Sequence, residues 1–416
     1  MLSRLACSLL CVLLAGSTIG GAAAAGEAWD WTQWRGPDRD GQVPALPGSL
    51  ADLKADFQLS LEPSYSGPVA DADRIYTTMT ENKEREVVLA IDRATGKEAW
   101  RASWDGAMKV PFFAASNGSW IRATLALHDG RLYVAGMKDV LVCLDAGTGE
   151  IVWKKDFVAA VGTSVPMFGN VCSPLVIDGP QPLVVVQSAD SVIALDAGTG
   201  EQVWRSLAAG EGGEDGAFSS PALATDAPGG PQLLVQTRSD LAGLNPQTGD
   251  VIWQTPVEAY RGMNILTPTY RVAGDTLEVF TSSYGGGSTL YAVTGKSVST
   301  KWTNKSEAYM ASPVLVGDRL VVPLRNQRTA AIDWNTGETI WTSTPYGKYW
   351  SMVTDGEQVL ALDQRGSLYR LDVSGEKLAV LESREISPTE TWGYLAWDGR
   401  QLMIRRLDGL DVYSVE

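Results

Sequence analysis

Apolar and polar positions alternate along this chain in short runs, of which Arg131-Leu132-Tyr133-Val134-Ala135 is representative, and tight polar turns close the runs. A period of two is the pattern of β-strands. Superimposed on it is an eleven-residue pattern: a small residue, Asp two positions on, Thr-Gly at the turn and Trp at the end. Ala90 to Trp100 fills it completely, Cys143 to Trp153 repeats it through Asp145 and Thr148-Gly149, and Ala194 to Trp204 through Asp196 and Thr199-Gly200. Gly243 to Trp253 keeps Thr248-Gly249 with Asn245 in the Asp position, Ala331 to Trp341 has Asp333 and Thr336-Gly337, and Ala292 to Trp302 keeps the spacing but loses the turn. The pattern predicts a hairpin in which Asp bonds the turn backbone and Gly supplies a positive φ. One large apolar ring per repeat reads as a knob docked against the next unit. Trp100, Trp153, Trp204, Trp253, Trp302 and Trp341 are therefore assigned to architecture.

These Trp residues are 53, 51, 49, 49 and 39 positions apart. A period of that size, built from short strands, predicts an all-β propeller of four-stranded antiparallel blades. Ser-Pro-like pairs (Gly67-Pro68, Ser173-Pro174, Ser220-Pro221, Thr267-Pro268, Ser312-Pro313) mark the innermost strands. Turns such as Asp129-Gly130 and Gly317-Asp318 lead to second strands, and the Trp hairpin supplies the third and fourth. Unit starts near Tyr65, Arg122, Val171, Phe218, Ile265, Met310, Tyr349 and Trp392 give eight blades over residues 55–416. The last unit ends before a fourth strand, whereas Asp56 to Leu61 is an orphan strand with Phe57 in the Trp position. The N-terminal strand is expected to complete the eighth blade, and such closure removes exposed edges. Pro323, inside a second strand, predicts a bulge. Residues 26–54 form an arm with Trp29, Trp31 and Trp34, read either as packing on the propeller or as an aromatic docking site.

Residues 1–25 read as a secretory signal, with Arg4, an apolar core from Leu5 to Gly16 and Ala23-Ala24-Ala25 as the cleavage site. The expectation is an exported chain, periplasmic or secreted, associated with the outer membrane through a partner. Ser17 stands where a lipoprotein signal would place Cys. No later run reaches the ~18 apolar residues of a membrane span. The formal charge of −15 becomes −16 once Arg4 leaves with the signal. An acidic chain without a basic tract is not expected to bind nucleic acid. Cys143 and Cys172 remain in the mature chain, expected as two buried thiols, with a disulfide as the alternative.

In a propeller, the loops from strand four to the next strand one and from strand two to strand three share one face, and function is expected there. The longest, Trp104 to Arg122, carries Pro111-Phe112-Phe113. Others carry Asn170, Arg261 and Asn264, and Tyr349-Trp350, with Trp392 at the last blade. The short loops add Lys138, Arg238, Arg325, Arg328, Arg365 and Arg406. Guanidinium groups suit carboxylate or phosphate, so an acidic peptide or small ligand is one reading of this mouth; solvated turns are the other. The loop 210–216 could approach a cation. Catalytic signals are poor. His128, the sole histidine, lies beside a turn on the opposite face, and no Cys-x-x-Cys or His-x-x-x-His pair is present. Asp38-Arg39-Asp40-Gly41 lacks the spacing of an EF-hand.

The pattern Ala-x-Asp-x-x-Thr-Gly-x-x-x-Trp resembles the tryptophan-docking motif of the pyrroloquinoline quinone (PQQ) repeat family of eight-bladed propellers, over residues 55 to 416. The resemblance implies one of two branches. PQQ-dependent dehydrogenases hold the quinone against adjacent cysteines beside a calcium ion. BamB-like relatives are non-catalytic scaffolds that help assemble outer-membrane barrels by holding the core assembly protein. This chain has no adjacent cysteines and no matching ligand set, so no catalytic residue is carried over, and its length and economy of loops resemble the BamB-like branch. The expectation is a monomeric, non-catalytic scaffold that binds an envelope protein on its loop-rich face and needs no cofactor. The alternatives are a quinoprotein using PQQ with Ca²⁺ and a carbohydrate- or peptide-binding propeller.

Overall fold

Each Thr-Gly hairpin forms the outer half of a four-stranded antiparallel sheet, and eight such sheets follow one another around a ring. The structure, a computed structural model, describes residues 28–209 and 218–415; the expected signal segment 1–25 and the loop 210–216 lie outside them. The first blade is built from Val69–Ala70, Arg74–Glu81, Arg85–Asp92 and Glu98–Asp105. Six further blades span residues 126–156, 175–206, 222–256, 269–304, 314–342 and 350–385. The eighth joins Ala396–Trp397, Gln401–Arg406 and Gly409–Val415 to the N-terminal strand Leu53–Ser60. The ring therefore closes by pairing the two ends of the chain, with Phe57 opposite Val412.

The repeat has a physical basis at the blade interfaces where its turn is kept. Asp92, Asp145, Asp196 and Asp333 each accept the backbone N–H three residues on through Oδ1, at 2.8, 2.9, 2.8 and 2.7 Å, which holds the turn. The glycine after Thr carries the next contact. A Cβ built on Gly149, Gly200, Gly249 or Gly337 would come within 2.5 to 2.6 Å of Trp100, Trp153, Trp204 or Trp302, respectively. Each of these four rings thus lies on the bare backbone of the next blade; Trp253 instead donates to Gln232 of its own blade at 2.7 Å, and the turn glycines beyond Trp253 and Trp341, Gly295 and Gly375, lie clear of those rings. The indole N–H then donates to the carbonyl after the Asp or Asn: Trp100 to Ala146, Trp153 to Ala197, Trp204 to Pro246 and Trp302 to Trp334. Phe57 meets Gly96 in the same way and seals the last interface.

Two details differ from expectation. Trp302 pairs with Leu290 rather than Ala292, because this hairpin turns at Gly295-Lys296 between longer strands, Gly287–Thr294 and Ser297–Asn304. The eleven-residue spacing there is coincidental, although the ring still docks. Pro323 causes no bulge: it pairs with Thr329 in unbroken register. The N–H of Leu324 bonds Arg328, so the proline nitrogen faces the other side, where pairing with the first strand has already ended at Val321. No ladder bond is lost. The bulges fall instead in the outermost strand, one residue before the docking Trp, as between Ala194 and Leu195 opposite Trp204 and Gln202.

Cys143 and Cys172 are free and fully buried. Burial pushes their thiols up, to about 12 and about 11 respectively. The thiolate is the reactive species, so neither cysteine should react with a maleimide at neutral pH until the propeller unfolds. Mass mapping of alkylated peptides along a denaturant series checks this; labelling of either residue in native buffer would contradict the packing.

Candidate functional site

The arm from Trp29 to Val43 runs into the central channel and bonds several blades in turn. The N–H of Ala70 donates to Trp31, that of Leu127 to Thr32 and that of Val43 to Thr354, while Trp29 Nε1 donates to Trp397. Trp31 is fully buried. Two arginines brace the arm across the axis: Arg35 donates to the carbonyls of Asp40 and Pro313, and Arg39 to those of Ser173 and Pro174 at 2.9 and 2.6 Å. Both guanidinium carbons lie 5.6 Å from the Trp34 ring. No acid among the described residues forms an ion pair with Arg39, and burial lowers its pKa to about 10. Packing on the propeller is thus the arm's observed role, and it leaves the channel blind, with Trp34 as the floor of a funnel open on the loop-rich face.

The Ser-Pro-like pairs explain the wall above that floor. Gly67 N–H donates to Thr124 Oγ1, Thr124 N–H to Ser173 Oγ, Ser173 N–H to Ser220 Oγ, and Leu395 N–H to Ser351 Oγ, at 2.9 to 3.2 Å. These hydroxyls bond one blade to the next around the axis. The sequence marks Ser173 and Ser220 only as a small residue before proline, and Thr124 and Ser351, followed by Leu125 and Met352, not even as that. Above them the funnel, about 260 Å³, is lined by Tyr65, Arg122, Phe168, Phe218, Met263, Met310, Tyr349, Trp350 and Trp392. Trp392 lies 4.4 Å from the Tyr65 ring and 4.2 Å from the Tyr349 ring, and Arg122 lies 5.8 Å over Tyr65.

Of the candidate residues, Arg122, Tyr349, Trp350 and Trp392 meet in this funnel. Arg238 sits at its edge, 5.0 Å over Phe218, and donates to the Arg261 carbonyl. Arg261 has a left-handed φ of 54° and lies over Tyr260. The others stand apart from it. Asn170 is buried and bonds Asp139 and Ser188, and Asn264 is buried against the carbonyls of Thr237 and Arg238. Arg325 pairs with Glu307 at 3.5 Å, Arg328 donates to the Ser343 carbonyl, and Arg406 pairs with Asp408 and Asp411. Arg365 and Lys138 are exposed. His128 ends an innermost strand and faces Asp178 at 3.2 Å, away from the funnel.

Burial dominates the electrostatics of the funnel. It raises Tyr65 to about 12, aided by the charge of Glu390, an exposed residue. It raises Tyr349 as well, with Tyr309 next in effect, and lowers Arg122. The described lining includes no carboxylate, and no group of three metal-binding side chains exists among the described residues. Calcium would find no anionic ligand there, and a quinone no adjacent cysteines, since Cys143 and Cys172 belong to separate blades. The donor set does not fit that pair of cofactors.

The rim is apolar on one side. Phe112 is 90% exposed, Phe113 63%, Met167 58% and Tyr260 51%. The long loop that carries the two phenylalanines was legible in the sequence, whereas their exposure and the Trp34 floor were not.

A family model described as outer membrane protein assembly factor BamB matches residues 84–343 and 311–380. BamB of Shewanella oneidensis is 23% identical over 307 residues, 70% of each chain. The quinohemoprotein alcohol dehydrogenase ADH IIB of Pseudomonas putida is 29% identical over 140 residues, 32% of this chain and 18% of that protein. Among solved structures, BamB from Moraxella catarrhalis superposes with a TM-score of 0.62 at 17% identity, over 87% of this chain and 99% of that one.

Proposed function

The chain belongs to the PQQ-repeat β-propeller family, BamB-like, and from that membership we propose that it is an exported, non-catalytic scaffold that docks an envelope protein on its loop-rich face and serves outer-membrane protein assembly. The observation that carries this reading is the aromatic rim. Phe112 and Phe113 lie in one short helix, Phe112–Asn117, and stand in water although the chain buries its other phenylalanines wholly or in part. Large exposed apolar side chains grouped on one face mark interaction surfaces, and aromatic anchors carry much of the energy of protein interfaces. The name borne by the relatives supplies the process, and a funnel whose described lining holds no carboxylate favours binding over quinone catalysis. No helix among the described residues is long and apolar enough to cross a membrane.

A photo-crosslinker placed at Phe112 in the producing cell should capture a component of the outer-membrane assembly machinery, identified by mass spectrometry. Deleting the gene should lower the amount of outer-membrane β-barrel protein. The Phe112→Ser/Phe113→Ser variant should melt like the wild type, since both rings are exposed, yet fail to restore that amount. Unchanged barrel content in the deletion strain would overturn the assembly role.

A further inference from the structure

We propose that the funnel receives an extended polypeptide segment of the partner, in which an apolar ring descends toward Trp34 and an adjacent carboxylate takes the donors of Arg122, Tyr349 and Trp392. This inference rests on the reading of the loop-rich face as a docking face and names what the partner presents there. Three buried polar atoms of the funnel wall, Arg122 Nε, Tyr349 Oη and Trp392 Nε1, have no hydrogen-bond partner among the described residues. Arginine and indole nitrogens only donate, and the tyrosine hydroxyl can do so. An occupant bearing acceptors would answer these donors.

The donors are neighbours. The Trp392 ring contacts those of Tyr349 and Tyr65, and Arg122 lies over Tyr65. Arg122 spends one N–H on the Gly118 carbonyl at 2.8 Å, and no ion pair of Arg122 exists among the described residues. No described carboxylate lines the funnel; Arg122 and Lys348, the latter over the rings of Tyr309 and Tyr349, are the cations at its mouth, and Glu390 is the acid whose charge reaches Tyr65 and Tyr349 from outside the lining. Guanidinium donors suit carboxylate or phosphate, and a carboxylate is the one an unmodified polypeptide carries. The rest of the wall is apolar, and 260 Å³ accommodates a single ring with little beyond it.

A free small acid would satisfy the floor alone, but the apolar surface does not stop there. Phe113 meets Phe168 at 6.2 Å between ring centroids, and Phe168 meets Phe218 at 6.1 Å, so a file of rings leads from exposed Phe112 into the funnel wall. A segment long enough to lie along that file and turn one side chain inward matches both features. Charge complementarity and continuity with the rim thus favour a polypeptide occupant.

The probe is a fluorescent, end-capped pentapeptide with adjacent aspartate and phenylalanine among glycines, titrated into the full mature chain and read by anisotropy. Saturable binding is expected. It should weaken about tenfold when lysine replaces the aspartate, the change expected from losing one charge-assisted hydrogen bond. Tyr349→Phe/Trp392→Phe should weaken it about as much, with circular dichroism and melting unchanged, and Arg122→Gln should erase the preference for aspartate over lysine. No saturable binding, equal binding of the lysine peptide, or wild-type binding by the double variant would each overturn the proposal. So would phenylacetate competing as tightly as the peptide, since the rim would then contribute nothing. Should the crosslink at Phe112 persist while the funnel variants leave partner capture unchanged, the docking face stands and the funnel inference alone falls.

Discussion

Replacing Trp204 by alanine should destabilise the propeller by about 3–5 kcal/mol, the range measured when a buried aromatic ring is removed. The ring lies on the backbone of Gly249, at φ 74°, so closely that a Cβ there would sit 2.6 Å from it, and its N–H donates to Pro246 at 3.2 Å. Alanine would leave a cavity between the third and fourth blades and orphan that carbonyl. Neither blade can collapse into the space without shifting the four-stranded sheet behind it. A graded comparison separates packing from hydrogen bonding. Trp204→Phe keeps much of the volume and loses the donor, so about 1 kcal/mol is expected. Trp341 is buried to a similar degree, but its Nε1 has no partner. Trp341→Phe should therefore cost less than Trp204→Phe. Chemical denaturation of the four proteins would decide, and a Trp204→Ala midpoint equal to wild type would refute the docking role of the repeat.

The same contact explains why so much of the fold could be read from sequence. A bare backbone at Gly249 and a large ring at Trp204 are dictated by one interface, and the interface recurs, so the pair recurs at fixed spacing in residues. Blade number, strand order and closure all followed from that period. Where the spacing was kept without the turn, between Ala292 and Trp302, it misled by two positions, because register is set by hairpin length and not by the distance to a ring. The funnel was less legible for a related reason. Its walls come from loops of six or more different blades, and whether a loop arginine points inward depends on neighbours remote in sequence. Arg122 turns toward Tyr65, whereas Arg406, at the end of Gln401–Arg406, is held by Asp408 and Asp411. Asn170 and Asn264 looked like mouth residues but bond loop atoms from below. Trp34 lies in the arm, outside every repeat, and no periodic argument could have placed it under the funnel.

Starting the chain at Glu62 should abolish the native monomer. The strand Leu53–Ser60 is the outermost strand of the eighth blade and pairs with Gly409–Val415 along its length. Its loss would expose the backbone of that partner strand as an unpaired edge, which templates association with other chains. It would also remove Phe57, the ring that rests on Gly96 and joins the eighth blade to the first. Arg384 would lose its acceptor at Leu53, and Arg406 would lose the Leu59 carbonyl. The arm would go as well, leaving the channel without Trp31 and Trp34. A second deletion, with the chain starting at Leu53, separates these effects. It removes the arm but keeps the closing strand, so the ring should still form, at reduced stability, with a channel open at both ends. Size-exclusion chromatography with light scattering is the test: aggregates for the chain starting at Glu62, a monomer for the chain starting at Leu53. A stable monomer from the shorter chain would show that the ring holds without its N-terminal strand, and aggregation of both would make the arm, with its buried arginines, the element on which closure depends.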